Sequence, residues 1–129
     1  MLNVNNEIVG IGVDIEDISR FQGLTVEKDA SFLNKLFTEK ELNYCFSAGN
    51  PAEHLAARYA GKEAIIKALS QLERFEADYR DIEIVNDKMG IPGARVLKEG
   101  FVGLDILLSL SHSKETAIAF TIVALRTKD

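Results

Sequence analysis

The stretch NPAEHLAARYAGKEAIIKALSQL, residues 50 to 72, decides the fold. Asn50 stands where a helix N-cap belongs, Pro51 falls at N1 and Glu53 at N3, and the run that follows is rich in Ala and Leu. This predicts one long helix from Pro51 to about Leu72. Before it, FTEKEL supplies Thr38 as N-cap, Glu41 three residues on, and Phe37 with Leu42 at the staple positions, so a second helix of about two turns should run through Phe46.

Working outward, every other element reads as strand. IVGIGVDI, residues 8 to 15, is β-branched and glycine-containing, with Asp14 near its end, where a polar stretch begins. DIEIVND alternates Ile82 and Ile84 around Glu83, and DKMG with Ile91-Pro92 reads as a turn leading to a short strand near Arg95 to Leu97. LDILLSLSH and TAIAFTIVAL, separated only by His112 to Glu115, suit an antiparallel pair. The pattern is α+β: an antiparallel sheet with a long central helix packed on it.

At 129 residues, with neither a repeat nor a linker, the chain reads as a single domain over 1–129. Its 47% hydrophobic and 27% charged residues are globular values. The longest nearly unbroken apolar stretch, Ala117 to Leu125, is about half of the ~20 residues that a membrane span needs. No membrane partner is expected. A formal charge of −5 disfavours polyanions, so no nucleic-acid partner is expected either. The lone cysteine, Cys45, and the absence of a basic n-region before an apolar run point to a reducing, cytoplasmic compartment.

On a helical wheel with Glu63 at zero, Ala56, Tyr59, Ala60 and Ile66 fall within about 60° on either side, and Lys67 falls at about +40°. Glu63 and Lys67 thus lie on an apolar stripe, directed toward a core or cleft. The pair reads either as an ordinary i,i+4 helix pair, contributing about 0.2–0.5 kcal/mol, or as part of a site. Asp14 reads either as an N-cap for the DISRF segment or as a carboxylate at a strand end. His112, closing SLSH, reads as a turn residue or as a functional imidazole. G-x-S-x-G is absent, GIGVDI is not G-x-G-x-x-G, and one Cys with two His makes no zinc set. Two carboxylates from separate elements do suit Mg²⁺, which leaves its other positions to water and phosphate oxygens.

Taken together, IVGIGVDIEDISRF, ARYAGKEAIIKAL and LLSLSHSKETAIAF resemble, in order, three motifs of the holo-acyl-carrier-protein synthase family, the short 4'-phosphopantetheinyl transferases. The resemblance covers most of the chain and implies the fold of that family. It also implies transfer of 4'-phosphopantetheine from coenzyme A to a serine of an apo acyl carrier protein, with release of adenosine 3',5'-bisphosphate. By that resemblance Asp14 and Glu63 hold Mg²⁺, Glu63 accepts the serine proton, and Lys67 stabilises or protonates the leaving phosphate. Arg58, Lys62, Ser111 and His112 match positions around the phosphates of coenzyme A, and Gly90 with Pro92 matches a turn near the adenine. Coenzyme A and acyl carrier protein are the implied partners, and a homotrimer with shared sites is the implied assembly.

Two departures stand out. Gly90-Ile91-Pro92 replaces a G-K-P turn, removing a candidate cation. After Asp14, where the family often presents basic residues to an acidic carrier, Glu16, Asp17, Glu27 and Asp29 surround Arg20 and Lys28, leaving Arg20 as the candidate carrier contact. The competing reading is a non-catalytic module that keeps the fold and binds coenzyme A or a carrier protein without transferring the arm.

Overall fold

The computed structural model describes residues 6–72 and 76–126. β1 (Asn6–Asp17) leads through a short 3-10 turn (Ile18–Phe21) to three helices, α1 (Val26–Leu36), α2 (Glu39–Ser47) and α3 (Pro51–Leu69). A 3-10 turn at Tyr79–Asp81 then enters the hairpin of β2 (Ile82–Asn86) and β3 (Pro92–Val96), and β4 (Leu104–His112) and β5 (Thr116–Arg126) close the chain. β5 lies between β1 and β4 in an antiparallel sheet, and β2–β3 form a second, two-stranded sheet. The α+β reading with a long helix on an antiparallel sheet agrees with this architecture.

Two of the sequence-predicted helix starts can be compared directly. At α2 the capping box forms as read: Thr38 Oγ1 accepts from Glu41 N, and Glu41 Oε1 accepts from Thr38 N at 2.8 Å. At α3, Pro51 occupies N1 but Asn50 makes no side-chain cap bond. The α-helix also ends three residues early, at Leu69. Gln71 N and Leu72 N bond to Ala68 O and Leu69 O, so the last turn tightens to i,i+3 spacing.

Asp14 is not an N-cap. β1 runs on to Asp17, because β5 supplies partners throughout: Asp14 faces Ala119 and Asp17 faces Thr116. The second hairpin strand starts at Pro92, opposite Asn86, which is earlier than the sequence reading. Pro92 therefore belongs to the strand and Gly90, with φ +83, to the turn.

α3 is buried on nearly all sides. Its Ala60 and Ala64 pack with Ala119 of β5, while Ile65 and Leu69 share a cluster with Ile82, Ile84 and Val123. The N-terminal half packs with Phe21, Leu33, Phe37 and the buried Cys45, whose thiol burial pushes up to about 12. β1 lies flush on the helix: a Cβ built on Gly12 would sit 1.9 Å from Ala64 O, and one on Gly10 2.4 Å from Ala68 O. Only glycine permits that approach.

Candidate active site

Because β1 is pressed onto α3 at its even-numbered positions, the carboxylate of Asp14 reaches the helix two residues beyond Gly12. Lys67 Nζ donates to Asp14 Oδ1 at 3.0 Å and to Val13 O at 3.2 Å. The bond to Asp14 holds the ammonium above its ordinary pKa. Asp14 is nine-tenths buried, and its second oxygen, Oδ2, has no hydrogen-bond partner among the described residues.

Glu63, four residues before Lys67, also lies close enough to raise the Lys67 pKa by its charge. It makes no direct pair with Lys67. Its Oε1 accepts instead from the hydroxyl of Tyr79. The i,i+4 Glu63–Lys67 pair is thus replaced by two tertiary contacts. The placement of Lys67 away from solvent is overturned as well, since its side chain is 54% exposed. The wheel failed because α3 has no single apolar stripe: its burial follows the sheet on one side and the β2–β3 hairpin on the other.

Lys62, matched by resemblance to a phosphate contact, is fully buried. Its Nζ donates to Glu41 Oε1 at 2.6 Å, Leu36 O at 2.8 Å and Tyr79 O at 2.9 Å, which uses all three ammonium donors. Burial lowers its pKa, with Glu41 opposing. Nothing remains to offer a ligand, and the phosphate assignment of Lys62 is withdrawn.

Arg58, 3% exposed, stacks on the Tyr44 ring at 4.3 Å and donates to Asn86 Oδ1 at 3.3 Å, while its Nε has no partner among the described residues. It borders a cavity of about 250 Å³ shared with Lys40, Asn86 and Asp87. Gly90 and Pro92 lie at the same end of the hairpin, since Pro92 pairs with Asn86. His112 sits at the end of β4 with Nε2 3.9 Å from Glu53 on the first turn of α3. Ser111 shares a row with Ile15 and Ile118 on the sheet face turned away from α3.

Within one chain the candidates therefore fall into separate groups. Arg58 and Glu63 are about 140° apart around α3, and Glu53, with His112, is about 15 Å along the helix from Glu63. Asp14, Glu63 and Lys67 are brought together; Arg58, Gly90 and Pro92 form a second group; Ser111 joins neither.

Three residues escaped the sequence reading as site members. Glu16, two positions after Asp14, shares its strand face, a signal that alternation carries. Its carboxyl is pushed up to about 7, first by burial and then by the neighbouring Asp14, although Arg20 lies 3.2 Å away. Tyr79 and Asn86 had no local signal, because their roles depend on distant partners. Arg20 is half-exposed and lies over the Tyr59 ring at 5.0 Å.

Residues 10–121 match the family model described as the 4'-phosphopantetheinyl transferase superfamily. The chain belongs to that superfamily. It is 41% identical over 124 residues to a holo-[acyl-carrier-protein] synthase of Geotalea daltonii, covering 90% of this chain and 98% of the relative. The acyl carrier protein synthase of Mycobacterium tuberculosis superposes with a TM-score of 0.72 at 35% identity, covering 92% of this chain and 99% of that one. A Bacillus anthracis holo-(acyl-carrier-protein) synthase in complex with CoA (3',5'-ADP) superposes with a TM-score of 0.74 at 31% identity, covering 92% and 97%. This transferase-superfamily chain is thus matched along nearly the whole length of those relatives.

Among the described residues, no group of three or more His, Cys, Asp or Glu side chains is arranged to hold a metal. The chemistry of Asp14, with a buried Oδ2 that has no partner among the described residues, fits a hard divalent ion that takes other ligands from water and a phosphorylated substrate. Also among the described residues, no helix is long and apolar enough to cross a membrane.

Proposed function

We propose that this chain is a holo-[acyl-carrier-protein] synthase, moving 4'-phosphopantetheine from coenzyme A to a serine of an apo acyl carrier protein. The observation that carries the reading is the pairing of Lys67 with Asp14 across two elements, beside a carboxylate oxygen that has no partner among the described residues, with Glu63 four residues before Lys67 on the same helix. The coenzyme A bound to the Bacillus anthracis relative supports the donor substrate.

Asp14 and Glu63 would hold Mg²⁺, which when bound neutralises charge on the pyrophosphate. Glu63, with Oε1 engaged by Tyr79 and Oε2 left for the ion, would take the serine proton directly or through a water. The serine oxygen forms a bond to the β-phosphorus, and the bond from that phosphorus to the bridging oxygen breaks, releasing adenosine 3',5'-bisphosphate. Lys67 retains one N–H beyond its two protein bonds, enough to stabilise or protonate the leaving phosphate. Arg58, His112, Ser111, Gly90 and Pro92 remain proposed coenzyme A contacts and Arg20 a proposed carrier contact.

The separation of Arg58 and Ser111 from Asp14 supports a site completed by a neighbouring copy. So does the outer sheet face, where Val13 and Ile15 of β1 and Ile118 and Phe120 of β5 lie exposed side by side. A homotrimer is the proposed assembly. Sedimentation should show a species about three times the 14.3 kDa chain, and a monomer would sink this part of the reading. A reducing cytoplasm is the proposed compartment, in keeping with the buried thiol of Cys45.

The test is intact-mass analysis of a panel of apo acyl carrier proteins incubated with coenzyme A and Mg²⁺. Wild type should add one phosphopantetheine; Asp14→Ala, Glu63→Gln and metal-free wild type should not. Coenzyme A binding with no carrier modified would favour the non-catalytic module instead.

A further inference from the structure

We infer that the Tyr79 hydroxyl is the positioning group for the Glu63 carboxylate, and that Lys62 serves the site by fixing Tyr79 rather than by touching substrate. This rests on the transferase reading above and adds a residue to it.

A glutamate on a half-buried helix face turns about three side-chain torsions, and a base or metal ligand left to sample them is out of place most of the time. Among the described residues the hydroxyl of Tyr79 makes the one hydrogen bond to Glu63. It engages a single oxygen, Oε1, and leaves Oε2 for chemistry. A neutral donor to one oxygen orients a carboxylate without neutralising its charge. Lys67 is held on Asp14 and Val13.

Tyr79 can act as a fixed point because it is itself held from two sides. Its carbonyl accepts from the buried Nζ of Lys62, the residue before Glu63, so the peptide of Tyr79 is tied to one position of α3 and its hydroxyl to the next. Its ring lies against Tyr59, with centroids 5.6 Å apart. Its turn is closed by a reciprocal pair: Asp78 N donates to Asp81 Oδ2 at 2.8 Å, and Asp81 N to Asp78 O at 3.0 Å. Ile82, immediately after, is fully buried. The bond to Glu63, with burial, also holds the phenol above its ordinary pKa, so it remains a donor through the neutral range.

The experiment compares wild type, Tyr79→Phe, Glu63→Gln and the double variant in the full-length chain. kcat and KM for coenzyme A are measured with a carrier that wild type modifies, and Mn²⁺ affinity is measured by electron paramagnetic resonance on the protein without coenzyme A. Tyr79→Phe should lower kcat on the order of 10- to 100-fold, leave KM for coenzyme A within about twofold, and weaken Mn²⁺ binding on the order of tenfold. In the Glu63→Gln background the same substitution should leave Mn²⁺ binding unchanged, because its effect passes through Glu63. The inference is overturned if Tyr79→Phe keeps both kcat and Mn²⁺ affinity within twofold of wild type, or weakens Mn²⁺ binding equally in both backgrounds. Should Tyr79→Phe fail to melt cooperatively, Tyr79→Leu removes the same hydroxyl and is judged by the same cycle. If wild type modifies no carrier, the transferase reading fails, and the Mn²⁺ cycle still decides the role of Tyr79.

Discussion

Two lysine–carboxylate pairs lie five residues apart on α3 and do opposite things. Lys62–Glu41 is sealed in the interior, and every group in it is used: Lys62 fills three acceptors, while Glu41 takes Thr38 N and Lys62 on Oε1 and Ile84 N on Oε2. Lys67–Asp14 is at the surface on the lysine side and, among the described residues, incomplete on both, with a spare N–H on Lys67 and a buried, unpartnered oxygen on Asp14. The saturated pair is a structural joint; the pair with unused capacity is the one the proposed reading assigns to a ligand. Both lysines stand in the stretch KEAIIK, where one-dimensional reading gave both of them to substrate.

Breaking the sealed pair should have the largest effect. Lys62→Ala leaves Glu41 buried and uncompensated, at a cost of about 3–5 kcal/mol. A large fall in denaturant midpoint is expected, and a variant as stable as wild type would show that the two backbone donors, Thr38 N and Ile84 N, suffice for the buried carboxylate. Breaking the open pair should hurt function rather than folding. Lys67→Ala should cost less stability than Lys62→Ala, because Lys67 is half-exposed and the site is open to water on that side, while reducing transfer on the order of 100-fold. Equal activity in the quantitative mass assay would remove Lys67 from the mechanism.

The smallest effect concerns Glu16, whose neighbour is another carboxylate. Between its ordinary value of 4.5 and about 7, the unfolded chain has released the Glu16 proton while the folded chain keeps it. Its contribution to stability therefore falls as pH rises through that window. Glu16→Gln should flatten the loss of melting temperature between pH 5 and 7.5. Parallel pH profiles for the two proteins would mean that neither burial nor Asp14 holds the Glu16 proton.

Legibility in the sequence followed the range of the interaction. The Thr38–Glu41 box and the Pro51 start are local and were read where they are observed, and the strand alternations located each strand, although β1 extends two residues further at each end and β3 starts three residues earlier. α1 was missed although Thr25 caps it, accepting from Lys28 N, because Asp29 interrupts the helix with φ −116 and blurs the periodicity. Asp14 was legible as a strand-end carboxylate but not as a continuing ladder residue, since only β5 extends β1 that far. Glu41 was read correctly as a capping residue, yet its second role, receiving Lys62, depends on a residue 21 positions away. Tyr79 and Glu63 are separated by 16 positions, including a segment with no periodic signal, and no spacing rule connects them.

The glycines that seat β1 on α3 have an evolutionary consequence. Every amino-acid replacement at Gly12 adds a Cβ where Ala64 O already stands, and the same holds at Gly10 against Ala68 O. Under the proposed reading, selection on the Asp14–Lys67 pair is felt at two positions whose residues have no side chain at all. A lineage can exchange charged residues around the site and keep its geometry, but these two codons are held by the shape of the helix backbone. They should be among the last in this chain to drift.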